Sequence, residues 1–102
     1  MKIVRRHGLT RPEAKAVVET VLPRLASQYS SVVSNVAYVW EGDVLQFSLR
    51  SKGASLKGQT FVNDQEIVLD MGIPLRLKLF ERMIRTELEG IMDQALYGFG
   101  KR

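Results

Sequence analysis

His7 is the chain's only histidine, and imidazole is the side chain best suited to moving protons at neutral pH. Proton transfer or metal binding needs partners, yet there is no cysteine, and no paired-carboxylate motif at ligand spacing lies nearby. The expected role of His7 is therefore structural, between a first strand and a first helix and bonded to backbone. A small enzyme built on His7 would need a pocket that brings a second polar group within roughly 3 Å of the ring. Asp43 and Asp70 are the carboxylates to inspect next. Asp43 follows Gly42, and Gly-Asp satisfies the unusual dihedrals of a two-residue hairpin; Asp70 fits the solvent side of a strand. The run from Gly53 to Thr60 has the glycine spacing of a phosphate-binding loop, but Gln59 stands where that motif needs its lysine. Strand-like alternation also continues through Thr60 and Val62, so no helix N-terminus would face an anion. Glycine there marks a bulge or a close approach of another backbone. These residues predict no catalytic group, no metal site and no cofactor, and the chain reads as a non-enzyme.

Two surfaces remain. Arg5, Arg6, Arg11 and Lys15 form a basic N-terminal set that could contact an anion such as a nucleic-acid phosphate. No aromatic residue is interleaved with them, so a stacking platform for single strands is missing. The last helical pattern has an apolar arc wider than a narrow seam. Leu79, Phe80, Met83 and Ile84 are the candidate hydrophobic contacts on it, and methionine suits adaptable contacts. The bland role for this arc is packing on a sheet; the functional ones are a homodimer seam, a groove, or docking on an apolar particle.

The elements that must carry these residues follow from periodicity. At 102 residues, 45% hydrophobic and 25% charged, the composition is that of one ordinary globular domain. Residues 1–97 are assigned to a single α+β domain and 98–102 to a frayed tail. No apolar run approaches the ~18 residues that span a bilayer, and Met1 to His7 lacks a secretory signal's apolar stretch. With the absence of cysteine, this predicts a cytoplasmic protein. Lys2 to Arg6 suit an edge strand. Thr10 and Glu13 form a capping box with Pro12 in the first turn, so a helix starts near Arg11. Ala14, Val17, Val18, Val21, Leu22 and Leu25 make its apolar face, and Pro23 predicts a kink or early stop.

From Val32 the period changes to two. Tyr38, Trp40 and Phe47 alternate as core residues should, Leu45 and Leu49 continue the series, and turns at Gly42-Asp43, near Gly53 and at Asn63-Asp64 join four strands into a meander. Ala54, Leu56, Gly58, Thr60 and Val62 alternate, followed by Ile67, Leu69 and Met71. Pro74 then opens a long helix with a stripe at Leu77, Phe80, Ile84, Leu88, Ile91 and Ala95, widened by Leu75, Leu79, Met83 and Met92, and stopped at Gly98. The predicted order is β-α-β-β-β-β-α, an antiparallel sheet with two helices packed on one face.

Taken together, Arg6-His7-Gly8-Leu9, Tyr29, the hairpin Trp40-Glu41-Gly42-Asp43-Val44-Leu45-Gln46-Phe47, and Gly53, Gly58, Ile67, Leu69 and Gly72 resemble the polyhydroxyalkanoic acid system family, also called granule-region proteins. The resemblance covers most of the chain. It implies association with bacterial storage of polyhydroxyalkanoate polyester and supplies no catalytic residues, so His7, Trp40, Gly42 and Asp43 transfer only as motif positions. The functional expectation is a non-enzymatic accessory protein that binds a hydrophobic surface, an acyl-type ligand or a granule-associated partner, located in the cytoplasm or on granules. The alternative is a nucleic-acid-binding regulator using the basic N-terminal set.

Overall fold

The computed structural model describes residues 1–100. Strands β1 (Lys2–Arg6), β2 (Val33–Glu41), β3 (Val44–Ser51), β4 (Ala54–Val62) and β5 (Glu66–Met71) form one antiparallel sheet in the order β1-β5-β4-β3-β2. Helices α1 (Arg11–Gln28) and α2 (Glu81–Gly100) pack on one face, in the α+β order the sequence predicts. Because β1 and β2 are opposite edges, α1 carries the chain from one side of the sheet to the other.

The start of α1 is written locally. Thr10 Oγ1 accepts the Glu13 amide at 3.3 Å, and Glu13 Oε1 accepts the Thr10 amide at 3.1 Å, which satisfies two of the donors left free at a helix start. Ala14, Val17, Val18, Val21 and Leu22 are buried as the periodicity requires. Pro23 does not end the helix, which runs on to Gln28. Pro23 lies on the exposed side, while buried Leu22 before it and part-buried Leu25 after it join the core and hold the helix through the lost backbone bond.

The hairpins are tight. Glu41 faces Val44 across Gly42-Asp43, with Gly42 at φ +62°, and Ser51 faces Ala54 across Lys52-Gly53, with φ +52° and +76°. Both turns use the left-handed backbone that matches strand twist. Ile3, Leu45, Phe47, Leu49, Leu56, Thr60, Val62, Ile67, Leu69 and Met71 point inward and are buried, so the alternation holds on four strands. Gly58 opposes Phe47, and a Cβ on it would stand 2.6 Å from Phe47 Cζ and 2.7 Å from the Asp70 carbonyl oxygen. The close approach predicted for a strand glycine is thus a phenyl ring and the neighbouring strand.

Strand β2 departs from expectation. Its register slips between Ser34 and Ala37, where Asn35 sits at φ +53° in a bulge. Phe47 is buried and Trp40 half-buried, but Tyr38 is 48% exposed although it pairs with Phe47 on the same face. Tyr38 lies on an edge strand, where period-two patterning does not guarantee burial.

The C-terminal helical pattern is split. Leu75–Phe80 form a 3-10 segment, and the α-helix begins only at Glu81. In the tighter winding of a 3-10 turn the fourfold spacing no longer keeps side chains on one face. Leu77 is therefore buried, while Leu75 and Leu79 turn out to solvent and do not widen the core stripe; Met92 does. Gly98 does not stop α2, and Phe99 still packs against the core; the last two residues of the predicted tail, Lys101 and Arg102, lie outside the described residues.

Candidate functional site: an apolar cavity and the surface at its mouth

Between α1, the inner face of the sheet and α2 lies a cavity of about 200 Å³. Its floor is built by register: Leu45, Thr60 and Leu69 stand side by side on β3, β4 and β5. Thr60 is the buried polar residue of this core, 3% exposed. Val18, Val21 and Leu22 of α1 and Leu88 and Met92 of α2 supply walls. The lining residues that reach solvent, Val32, Lys52, Phe80, Met83 and Glu87, mark a mouth. Tyr29, at the C-terminal cap of α1, donates its phenolic hydrogen bond to Glu87 of α2 there. That bond, then desolvation and the Glu87 charge, push the Tyr29 phenol above its ordinary value. On the sheet side of the mouth Lys52 Nζ stands 5.5 Å from the centre of the Phe80 ring.

Of the four predicted hydrophobic contacts, Leu79 is 94% exposed and Met83 55%, while Phe80 is 38% exposed and Ile84 half-buried against the core. Leu75, at 87%, joins them. The predicted set therefore straddles two features: Phe80, Met83 and Ile84 line the cavity, whereas Leu79, like Leu75, faces solvent outside its lining.

The predicted anion contacts are mostly committed to neighbouring carboxylates. Arg5 bonds Asp93 at 2.7 Å and Glu89 at 3.1 Å, tying β1 to α2. Arg11 bonds Asp64 at 2.6 Å and Asp43 at 2.7 Å, tying α1 to two turns. The hydrogen bonds to Asp93 and to Asp64, respectively, lead the effects that hold Arg5 and Arg11 more firmly charged. Lys15 reaches Asp43 at 3.4 Å and the Gly42 carbonyl at 2.9 Å, and lies over the Trp40 ring at 4.8 Å. Trp40 is fixed from the same helix, donating to Glu19 at 2.6 Å. Arg6 is exposed and makes no ion pair among the described residues. The four do not converge on one site.

His7 is anchored by backbone at both nitrogens. Nδ1 accepts the Leu9 amide at 2.9 Å, which leaves Nε2 to carry the proton and donate to the Asn63 carbonyl at 2.8 Å. Gly53 to Thr60 is a turn followed by strand, not a phosphate loop. Among the described residues no group of three or more His, Cys, Asp or Glu is placed to hold a metal ion, and no helix is long and apolar enough to cross a membrane.

A second basic group went unnoticed in the sequence. Arg50 Nη2 and Arg76 Nη1 both donate to the Gly53 carbonyl, at 3.2 and 3.5 Å, beside Lys52 at the cavity mouth. None of the three makes an ion pair among the described residues. The Arg50-Ser51-Lys52-Gly53 run signals the turn, but only the packing of the 3-10 segment brings Arg76 to it.

Sheet, paired helices, internal cavity and solvent-facing leucines define a class: a small α+β protein whose distinctive features are apolar, inside and out. The chain belongs to the family described as "Putative polyhydroxyalkanoic acid system protein (PHA_gran_rgn)", whose model matches residues 1–96. No curated protein and no solved structure matches the chain.

Proposed function

We propose that this protein is a non-enzymatic accessory of polyhydroxyalkanoate metabolism that docks on the polyester surface of storage granules in the cytoplasm, through the 3-10 segment and the first turn of α2. The observation that carries this reading is the exposure of Leu75 and Leu79, 87% and 94%, beside part-exposed Phe80 and Met83. A folded chain gains nothing from two leucines held in water, whereas removing both from water contributes roughly 3–6 kcal/mol, before the cost of immobilisation. Arg76, Lys78 and Arg82 alternate with the apolar residues, a pattern suited to an interface whose cations stay in water while apolar neighbours insert. Membership of a polyhydroxyalkanoic acid system family supports a polyester of hydroxyalkanoic acids as the occupant.

Purified protein is expected to co-sediment with amorphous polyhydroxyalkanoate particles well above an inert-protein control. The double variant Leu75→Ser/Leu79→Ser should lose that binding with an unchanged thermal midpoint, because neither side chain supports the core. Equal sedimentation of variant and wild type would refute the docking surface. The nucleic-acid reading is weakened by the carboxylates facing Arg5, Arg11 and Lys15, which already neutralise the charge that phosphate contact requires.

A further inference from the structure

We propose that the cavity is a binding site for one unbranched alkanoyl chain with an anionic head, the chain entering between Phe80 and Met83 and the head resting against Lys52 and Arg76. This goes beyond surface docking, since it assigns a soluble ligand to the interior.

Three observations carry it. Protein cores are packed with few voids larger than a water molecule, whereas this void is about 200 Å³ with almost wholly apolar walls. It exceeds the ~150 Å³ of engineered cavities that stay dry and take up benzene, and falls below the ~300–1,000 Å³ of sites for drug-sized ligands. A single flexible chain fits that interval better than a fused ring system. Next, the sheet side of the mouth carries cations that pair with no carboxylate among the described residues. Glu87 is engaged by Tyr29, while Arg50, Lys52 and Arg76 lack carboxylate partners among the described residues. Two guanidinium groups share one neutral carbonyl oxygen, that of Gly53, an arrangement an incoming carboxylate or phosphate would improve. Finally, Thr60 places a hydroxyl-bearing side chain on an otherwise aliphatic floor between Leu45 and Leu69. A hydroxyl or carbonyl oxygen borne on the chain would find a hydrogen-bond partner there, which favours hydroxyalkanoyl over plain alkanoyl ligands.

The anionic head has two chemical sources: the carboxylate of a free acid, or the phosphates of a carrier holding the chain as a thioester. Calorimetric and NMR titrations with decanoate, 3-hydroxydecanoate, 3-hydroxydecanoyl-coenzyme A and 1-decanol separate them. Binding is expected for the acids or the thioester, with amide shifts concentrated at Leu45, Thr60, Ile67 and Leu69. Affinity tenfold higher for the thioester identifies phosphate as the recognised head; equal or lower affinity identifies carboxylate. Lys52→Glu/Arg76→Glu should weaken the anionic ligands at least tenfold and leave decanol unchanged. Val18→Phe, which fills the void, should abolish binding of every chain yet retain co-sedimentation with polyester, whereas Leu75→Ser/Leu79→Ser should do the reverse. If Val18→Phe does not fold, nuclear Overhauser contacts between the ligand's terminal methyl and Ile67 or Leu69 in the wild type decide the question. Shifts confined to residues 75–83, absence of such contacts, or no binding of any chain would overturn the proposal without touching the docking surface.

Discussion

Gly58 has no side chain because Phe47 occupies the place one would take. Substituting Gly58→Ala forces the ring or the β4–β5 backbone to move, and since the Asp70 carbonyl oxygen is as close as the ring, a rotamer change alone does not relieve it. The expected loss is ~1–3 kcal/mol, read as a lower denaturant midpoint, and Phe47→Leu in the same chain should restore only part of it. The glycine's meaning was half legible: alternation put it in a strand, but the identity of the obstructing atoms depends on which strands pair. His7 was legible for a simpler reason. Its Leu9 partner is a backbone amide two residues on, so local context sufficed for that bond, while the Asn63 carbonyl comes from the β4–β5 turn 56 residues away. The pairing of Arg11 with Asp43 and Asp64 was hidden, because three segments distant in sequence meet only after α1 crosses the sheet. The Arg50–Lys52–Arg76 group was hidden because only the packing of the 3-10 segment brings Arg76 to the β3–β4 turn.

Elements whose cues are local were read correctly: the capping box of α1, the Gly42-Asp43 hairpin and the inward alternation of β3, β4 and β5. Those decided by packing were not. Pro23 predicts a kink or an early stop, yet the helix runs on to Gln28, and the 3-10 segment interrupts a pattern that looks continuously helical. The two helices are linked by Tyr29, at the C-terminal cap of α1, and Glu87, in the second turn of α2. Because the phenol of Tyr29 is raised in the folded state relative to its ordinary value of 10.0, its contribution to stability is present below that value and is lost as pH rises through the raised one. Tyr29→Phe is accordingly expected to lower the unfolding midpoint slightly at neutral pH, and the difference from wild type should disappear in strong alkali, where phenolate faces carboxylate. In Glu87→Gln, phenolate absorbance should develop at lower pH than in wild type; identical titrations would show that the two groups do not interact in solution.

For the whole molecule, a formal charge of +4 suggests an affinity for anything acidic, yet the N-terminal cations are largely turned inward onto carboxylates. Adsorption to polyester through Leu75 and Leu79 should therefore hold or strengthen as salt rises, whereas phosphate-type contacts would weaken steeply. Sedimentation across a salt series measures the difference, and a steep fall would mean that charge, not apolar area, holds the protein to the particle.

Strand edges bear on how copies of this chain would sit side by side on the proposed polyester surface. Along β2 the bulge at Asn35 breaks the line of unpaired backbone groups, and at the opposite edge Arg85 of α2 caps the Lys2 carbonyl at 2.7 Å. Neither rim offers the long flat template on which a neighbour could zip, so docking of the kind proposed would leave crowded molecules as a carpet of separate units that do not grow into fibrils.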